Sequence, residues 1–369
     1  MIKIVTVVGA RPQFIKAAVI SRAFASHNYG KKHGAVREIV VHTGQHFDDQ
    51  MSQVFFDEMG IPAPDYNLGI GGLTHGAMTG RMIEAIEEVL VSEKPDFVLV
   101  YGDTNSTLAG AIAAAKLQIS LAHVEAGLRS FNRDMPEEIN RVLTDHAAQI
   151  LFAPTRLAVE NLLKEGIPQN MVHLVGDVMY DAALFHANQA EQQSKIIGKL
   201  KIKCREYVLV TLHRAENTDN PGRLRAIVEG LLRVAHEIPV VFPLHPRTRA
   251  RLQQEGMDNE VFAKLGITEP VGYLDMVMLE KNARLIATDS GGVQKEAYFY
   301  KVPCITLRDE TEWMELVEMG ANQVVPPVDA QTVSQAILSA LHRKVHTDAS
   351  KYPYGDGTAG KKIVAKLVF

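Results

Sequence analysis

The stretch Ile2-Lys3-Ile4-Val5-Thr6-Val7-Val8, followed by Gly9-Ala10-Arg11-Pro12-Gln13, reads as a β-branched run, a glycine turn and the opening of a helix. The run is nearly continuous in apolar residues rather than alternating, as in parallel strands covered on both faces. The same rhythm recurs down the chain. Residues 38–42, 97–101, 119–124 and 150–152 read as strands, with helical patterns at 13–24, 74–91, 106–116 and 137–148. A second set of strands falls at 207–212, 240–244, 285–288, 304–307 and 323–326, with helices at 221–236, 274–281, 293–300 and 329–342. Alternating βα units in both halves predict an α/β protein of two doubly wound, Rossmann-like domains.

Polar residues 189–203 break the apolar periodicity, so the expected division is 1–175, a connector over 176–204, and 205–357. Residues 358–369 form a short amphipathic tail that packs back on one of the domains. The length of 369 residues is ample for two cores.

Composition excludes several classes of function. Lys+Arg 39 against Asp+Glu 43 leaves a formal charge of −4, so no basic field exists to hold nucleic acid or an anionic membrane. The cysteines, Cys204 and Cys304, are too few for a disulfide framework or a zinc site. The N-terminal apolar run stops at Gly9 without a signal-type cleavage site, and the run over 108–115 is far short of a membrane span. A soluble cytoplasmic protein is expected. His42, His46 and His75 lack metal-ligand spacing, and neither a nucleotide-metal Asp-x-Asp pair nor a G-x-G-x-x-G fingerprint is present. No metal and no cofactor are expected.

The informative residues stand at strand ends. Gly9-Ala10-Arg11, with Lys16 one turn on, is a glycine turn into a helix with two cations and suits an anion; it also suits a plain tight turn. Asp103 follows the strand at 97–101, either capping a helix or left over beside three competent caps, Thr104, Asn105 and Ser106. Glu125 follows another apolar strand, where burial demands a partner; Arg129 as salt-bridge partner and proton-transfer chemistry are both open. Glu137 opens a helix after Pro136, where first-turn acids favour the dipole. His213 and His245 each follow a strand of the second half, as core histidines or as site groups. The most specific motif is Thr288-Asp289-Ser290-Gly291-Gly292, running into a helix that carries Glu296. Bare glycine amides at a helix N-terminus cradle phosphate, and an acid one turn further in can accept both hydroxyls of a ribose.

Taken in order, GARPQFIK (9–16), TGQH (43–46), YGDTNST (101–107), HVEAGLRSFNRDMPEEINR (123–141), LHRAEN (212–217), LHPR (244–247), TDSGGVQKEA (288–297) and YPYGDG (352–357) resemble the non-hydrolysing UDP-N-acetylglucosamine 2-epimerase family across nearly the whole chain. The resemblance implies a GT-B-like fold with two Rossmann-like lobes facing a cleft, a UDP-sugar substrate and a homodimer. It also implies inversion at C2 of a UDP-linked 2-acetamido sugar through elimination of UDP, a 2-acetamidoglucal, and re-addition. Carried over by position, Asp103, Glu125, Glu137 and His213 are the catalytic set. Arg11, Lys16 and His245 meet phosphates and uridine, Ser290, Gly291 and Gly292 the diphosphate, and Glu296 the ribose.

The sequence departs from the commonest family pattern in three places: Gln13-Phe14 for Glu-Ala, Gly176-Asp177-Val178 for Gly-Asn-Thr, and Trp313-Met314 for the Arg-Pro of TERPE. These variants are similar to the branch acting on UDP-2,3-diacetamido-2,3-dideoxyglucuronate for surface polysaccharide, and they occur also in UDP-N-acetylglucosamine epimerases of the family. Some bacterial members are activated by a second UDP-sugar near the positions of Gln45 and His46. Competing readings are a GT-B glycosyltransferase, which needs no acid–base set at C2, a hydrolysing epimerase, and a UDP-sugar sensor, which has no use for buried carboxylates.

Overall fold

The computed structural model describes residues 1–30, 34–45, 63–257, 261, 264–343, 345 and 353–368. Two compact units emerge: Met1–Ala182 with Tyr352–Phe369, and Ala183–Lys351.

In the first unit, among the described residues, seven parallel strands form one sheet: β1 (Ile2–Val8), β2 (Val36–His42), β3 (Tyr66–Asn67), β4 (Phe97–Tyr101), β5 (Ser120–Val124), β6 (Ile150–Ala153) and β7 (Val172–Leu174). Their order is β3-β2-β1-β4-β5-β6-β7. The second unit has six: β8 (Val208–Thr211), β9 (Val240–Pro243), β10 (Gly266–Thr268), β11 (Leu285–Thr288), β12 (Cys304–Thr306) and β13 (Asn322–Val324), ordered β10-β9-β8-β11-β12-β13. Both orders reverse direction beside the first strand of the unit, the doubly wound pattern that opens a crevice at the carboxyl ends of the strands flanking the switch. Those strands are β1 and β4 in one unit, β8 and β11 in the other.

The continuous apolar runs explain the core. Val5, Val7, Val98, Val100 and Leu121 are fully buried in the first unit, and Val208, Val210, Leu285, Ala287 and Ile305 in the second. The short strands β3, β7 and β10 escape a reading by apolar run because they hold two or three residues each, at or near a sheet edge. The helix Pro246–Gln254 escapes for another reason, since Thr248 and Leu252 are its buried positions.

Segment 176–204 is helical over Val178–Gln193 and Ile196–Lys199, and the two units part within the first of these helices. The terminal helix Ala359–Val368 belongs to the first unit. Its opening amides, Ala359 N and Gly360 N, donate to the Asp181 carboxylate at 3.1 and 2.9 Å. A methyl at Gly360 would come within 2.9 Å of Val19 Cγ1 on helix Arg11–Asn28, so close helix packing requires glycine there. Among the described residues no helix is long and apolar enough to cross a membrane.

Candidate active site

The first unit gathers its polar side chains where β1, β4 and β5 end. A side chain at Gly9 would overlap the hydroxyls of Ser106 and Thr43, so the turn after β1 has room only for glycine. The Gln13 carboxamide, 1% exposed, ties this turn to its neighbours. Its oxygen accepts from Gly9 N at 2.8 Å and Ala10 N at 3.0 Å. Its nitrogen donates to Tyr101 O at 2.8 Å and to Thr107 Oγ1 at 2.9 Å. Gln13 therefore locks β1 to β4, a role that needs a donor and an acceptor on one side chain.

Thr104, with Thr107 as partner, caps the helix Asn105–Lys116, so Asp103 is not its cap. The Asp103 side chain stays 35% exposed, 3.4 Å from Arg141 Nη1. Its backbone carbonyl is held separately, accepting from Asn140 Nδ2 at 2.9 Å.

Glu125 is buried and pairs with the ammonium of Lys16. The salt bridge from Glu125 to Arg129 weighed from the sequence is not the one made. Arg129 pairs instead with Asp145 at 2.8 Å and Glu165 at 2.7 Å. Glu125 has φ +76°, a left-handed backbone that costs a non-glycine residue on the order of 1–3 kcal/mol. Such strain persists where surrounding contacts over-determine it.

Of the two acids opening helix Pro136–Ala147, Glu137 is exposed and Glu138 is buried. Glu138 accepts from Ser130 N, Ser130 Oγ and Phe131 N at 2.9–3.0 Å, bracing the loop before the helix. Glu138 is structural; Glu137 is left open to a ligand. The Arg11 side chain and His46 lie outside what is described, whereas Gln45 accepts from Ser106 N at 3.0 Å.

In the second unit the ends of β8 and β11 are joined by Asp289, a fully buried carboxylate. It accepts from His213 N, Arg214 N and Asn217 Nδ2 at 3.0–3.3 Å and lies 3.3 Å from His213 Nδ1. Asp289 thus holds His213 half exposed at the rim, with its ring 6.1 Å from that of His245. His245 caps helix Pro246–Gln254 through its Nδ1, which accepts from Arg247 N at 3.2 Å. Burial, then the neighbouring His213 and Arg247, lower the His245 imidazole below its usual range.

Ser290 is the N-cap residue of helix Gly291–Phe299, its side chain not engaged in the cap. A side chain at Gly291 would overlap the Glu312 carboxylate, whereas Gly292 faces open space. Bare amides at a helix start are therefore presented beside a free hydroxyl, the arrangement that accepts an anion. Glu296 follows on the same helix, partly exposed. Cys304 is buried, and burial pushes its thiol up to about 12, which leaves no thiolate for nucleophilic chemistry.

Glu280, on helix Tyr273–Asn282, is 1% exposed, and burial with nearby Glu296 raises its carboxyl well above the usual range. A raised value means the folded state keeps the proton longer than the unfolded chain, so this group subtracts stability as pH climbs above about 4.3. Glu280→Gln removes that loss. Urea denaturation of the two proteins at about pH 5 and about pH 8 should show the balance moving toward the variant at the higher pH.

The profile of the family described as UDP-N-acetylglucosamine 2-epimerase matches residues 29–368. The chain belongs to that family. It is 51% identical over 368 residues to the UDP-2,3-diacetamido-2,3-dideoxy-D-glucuronate 2-epimerase of Pseudomonas aeruginosa, covering 99% of each chain. It is 47% identical over 373 residues to the UDP-N-acetylglucosamine 2-epimerase of Methanocaldococcus jannaschii, covering 100% of this chain and 99% of that one. A crystal structure of the M. jannaschii enzyme in complex with UDP-GlcNAc and UDP superposes with a TM-score of 0.84 at 47% identity, covering 99% of each chain. The GT-B-like α/β class expected from the sequence is the class of these family structures.

Trp313, which the sequence reading marks as a departure, takes part in a ring contact. The Trp313 ring lies 4.3 Å beneath the Lys295 ammonium, on the helix that begins at Gly291. An indole face is the strongest aromatic partner for a cation. Sequence reading assigns no role to Asp289, Glu138, Gln13 or Asp145, because each acts through partners that folding brings to it.

Proposed function

We propose that the chain inverts C2 of UDP-N-acetylglucosamine, reversibly giving UDP-N-acetylmannosamine. The observation that carries this reading is the acid set Asp103, Glu125 and Glu137 in one unit and a Ser-Gly-Gly helix start in the other, within a chain matched by the family along nearly its whole length.

The chemistry follows from the groups. A carboxylate removes the C2 proton while the bond from C1 to the diphosphate oxygen breaks. The C2–H electron pair becomes the C1=C2 double bond of a 2-acetamidoglucal, and the C1–O pair leaves on UDP. Diphosphate oxygen then re-adds at C1 as a proton arrives on the other face of C2. Two faces demand two acid–base groups, which are Asp103 and Glu137. Glu125 shares or orients the proton, and Lys16 pairs with that carboxylate. His213 stabilises the departing diphosphate, with Arg11, Lys16 and His245 meeting phosphate and uridine. Ser290, Gly291 and Gly292 hold the diphosphate and Glu296 the ribose. UDP stays bound between the two steps.

A second reading keeps this chemistry on UDP-2,3-diacetamido-2,3-dideoxyglucuronate. It is favoured by the identity to the P. aeruginosa relative and by the departures at Gln13, Asp177 and Trp313. The family resemblance also supports a cytoplasmic homodimer that feeds surface-polysaccharide synthesis.

Incubation with each UDP-sugar in D₂O, followed by proton NMR at C2, tests both readings. Deuterium at C2 with a manno-configured product is expected, and the faster compound is the substrate. Release of free sugar would assign a hydrolysing activity instead. Transfer of the sugar to an acceptor without exchange at C2 would assign a glycosyltransferase.

A further inference from the structure

His123, next to the last residue of β5, is fully buried, and its two ring nitrogens face two different parts of the first unit. Nε2 lies 2.8 Å from Gly102 O, and Nδ1 lies 2.7 Å from Asp145 Oδ1. Carbonyl and carboxylate oxygens only accept, so each ring nitrogen is placed against an acceptor. The other Asp145 oxygen accepts from Gly127 N at 3.0 Å and pairs with Arg129 Nη1 at 2.8 Å. Arg129 in turn forks onto Glu165 through Nε and Nη2, both at 2.7 Å. His123 and Arg129 face Asp145 and Glu165, and this mutual pairing lets the group stay buried. Burial works to raise the Asp145 carboxyl, but His123 and Arg129 outweigh it and hold it below its usual range.

The ends of this network are the supports of the three acids. Gly102, at φ +63°, immediately precedes Asp103. Gly127, at φ +83°, lies two residues beyond Glu125. Asp145 stands on helix Pro136–Ala147, whose first turn carries Glu137. The sheet does not require the network for its register, because β4 and β5 are already paired from Phe97↔Ser120 to Tyr101↔Val124. Gly102 N also donates to Val124 O at 3.0 Å. A purely structural filler would be better apolar, since replacing a buried ion pair by packed hydrophobic groups is often neutral or stabilising.

We propose that His123 and Asp145 are positioning residues that set the mutual spacing of Asp103, Glu125 and Glu137, and with it the rate of proton transfer at C2. The inference rests on the epimerase reading above. Neither residue touches substrate; both act through the backbone that carries the acids. Misplacing a reacting group by about 1 Å can cost about 100-fold in rate.

The test uses His123→Gln, whose amide nitrogen still reaches Gly102 O, and His123→Asn, which still reaches Asp145. Turnover, KM and the isotope effect with substrate deuterated at C2 are measured beside UDP affinity. Expected are a fall in kcat of about 10-fold for His123→Gln and about 100-fold for His123→Asn. KM and UDP affinity should stay within about twofold, since neither variant touches Arg11, Lys16 or the residues of the other unit that are assigned to UDP, and the isotope effect should rise as proton transfer becomes limiting. A merely structural role lowers kcat only in proportion to the fraction of protein that binds UDP and leaves the isotope effect unchanged. That result, or unchanged kcat, overturns the proposal. If wild-type protein exchanges no deuterium at C2, it is the epimerase reading that fails.

A measurement on wild-type protein covers variants that do not fold. In ¹⁵N-histidine-labelled enzyme, with side-chain resonances assigned through the backbone, one-bond and through-hydrogen-bond correlations should show His123 held at both ring nitrogens. A ring nitrogen with no hydrogen-bonded partner overturns the proposal.

Discussion

Asp103→Asn should lower the rate of C2 epimerisation by about 1,000-fold while UDP still binds. The reasoning starts from what the substitution leaves in place. The Asp103 backbone is held by Asn140 Nδ2 on its carbonyl, and Thr104 caps the next helix, so neither support uses the carboxylate. The side chain is a third exposed, and its contact with Arg141 is at 3.4 Å, so its loss costs little stability. What disappears is a group able to take or give a proton. Glu137→Gln should behave in the same way, since Glu137 is exposed while the neighbouring Glu138 does the bracing. Deuterium incorporation at C2 measures the first quantity and isothermal titration with UDP the second. Near-wild-type exchange in either variant removes that residue from proton transfer.

Lys16→Met should cost about 3–5 kcal/mol of stability, the penalty for stranding a buried charge. Both members of the Lys16–Glu125 pair are 8% exposed. Without the ammonium, burial of the Glu125 carboxyl loses its cationic counterweight, which favours the protonated form in the folded variant. The sign follows. A raised folded value means stability falls as pH rises from about 4.3 upward, so the deficit against wild type is small in mild acid and grows toward neutrality. Removing both charges, in Lys16→Met with Glu125→Gln, should restore most of the loss. Urea denaturation of the four proteins closes the cycle and reads the coupling directly. A deficit that does not change with pH would mean that the ammonium is not what keeps Glu125 charged.

Much of the site was legible because a doubly wound sheet has a fixed logic. Once β1, β4, β8 and β11 are recognised from their apolar runs, the residues just past them must line the crevices at the switch points. Asp103, Ser290 and Gly292, proposed for the site, stand just past β4 and β11. Glu125 stands directly past β5, but its partner is not legible from the sequence. Arg129, four positions along, is the obvious choice by sequence distance. Chain reversal after β1 brings Lys16 to it from 109 residues away. Glu137 and Glu138 could not be told apart by composition, since both favour a helix start; the helix phase buries one and exposes the other.

Sequence alone determined the fold class, the strand ends where chemistry is gathered and, through the ordered motifs, the family. These are local properties: an apolar run, a glycine that must turn and a polar residue directly after a strand are written in neighbouring positions. Tertiary structure decided which charges neutralise one another. Lys16 with Glu125, His123 with Asp145, and Asp289 with the amides of His213 and Arg214 join residues far apart in the chain. Burying a charge is favourable only when a partner arrives from elsewhere in space. That partner is chosen by how the strands are ordered and the helices packed, which no local stretch of sequence encodes.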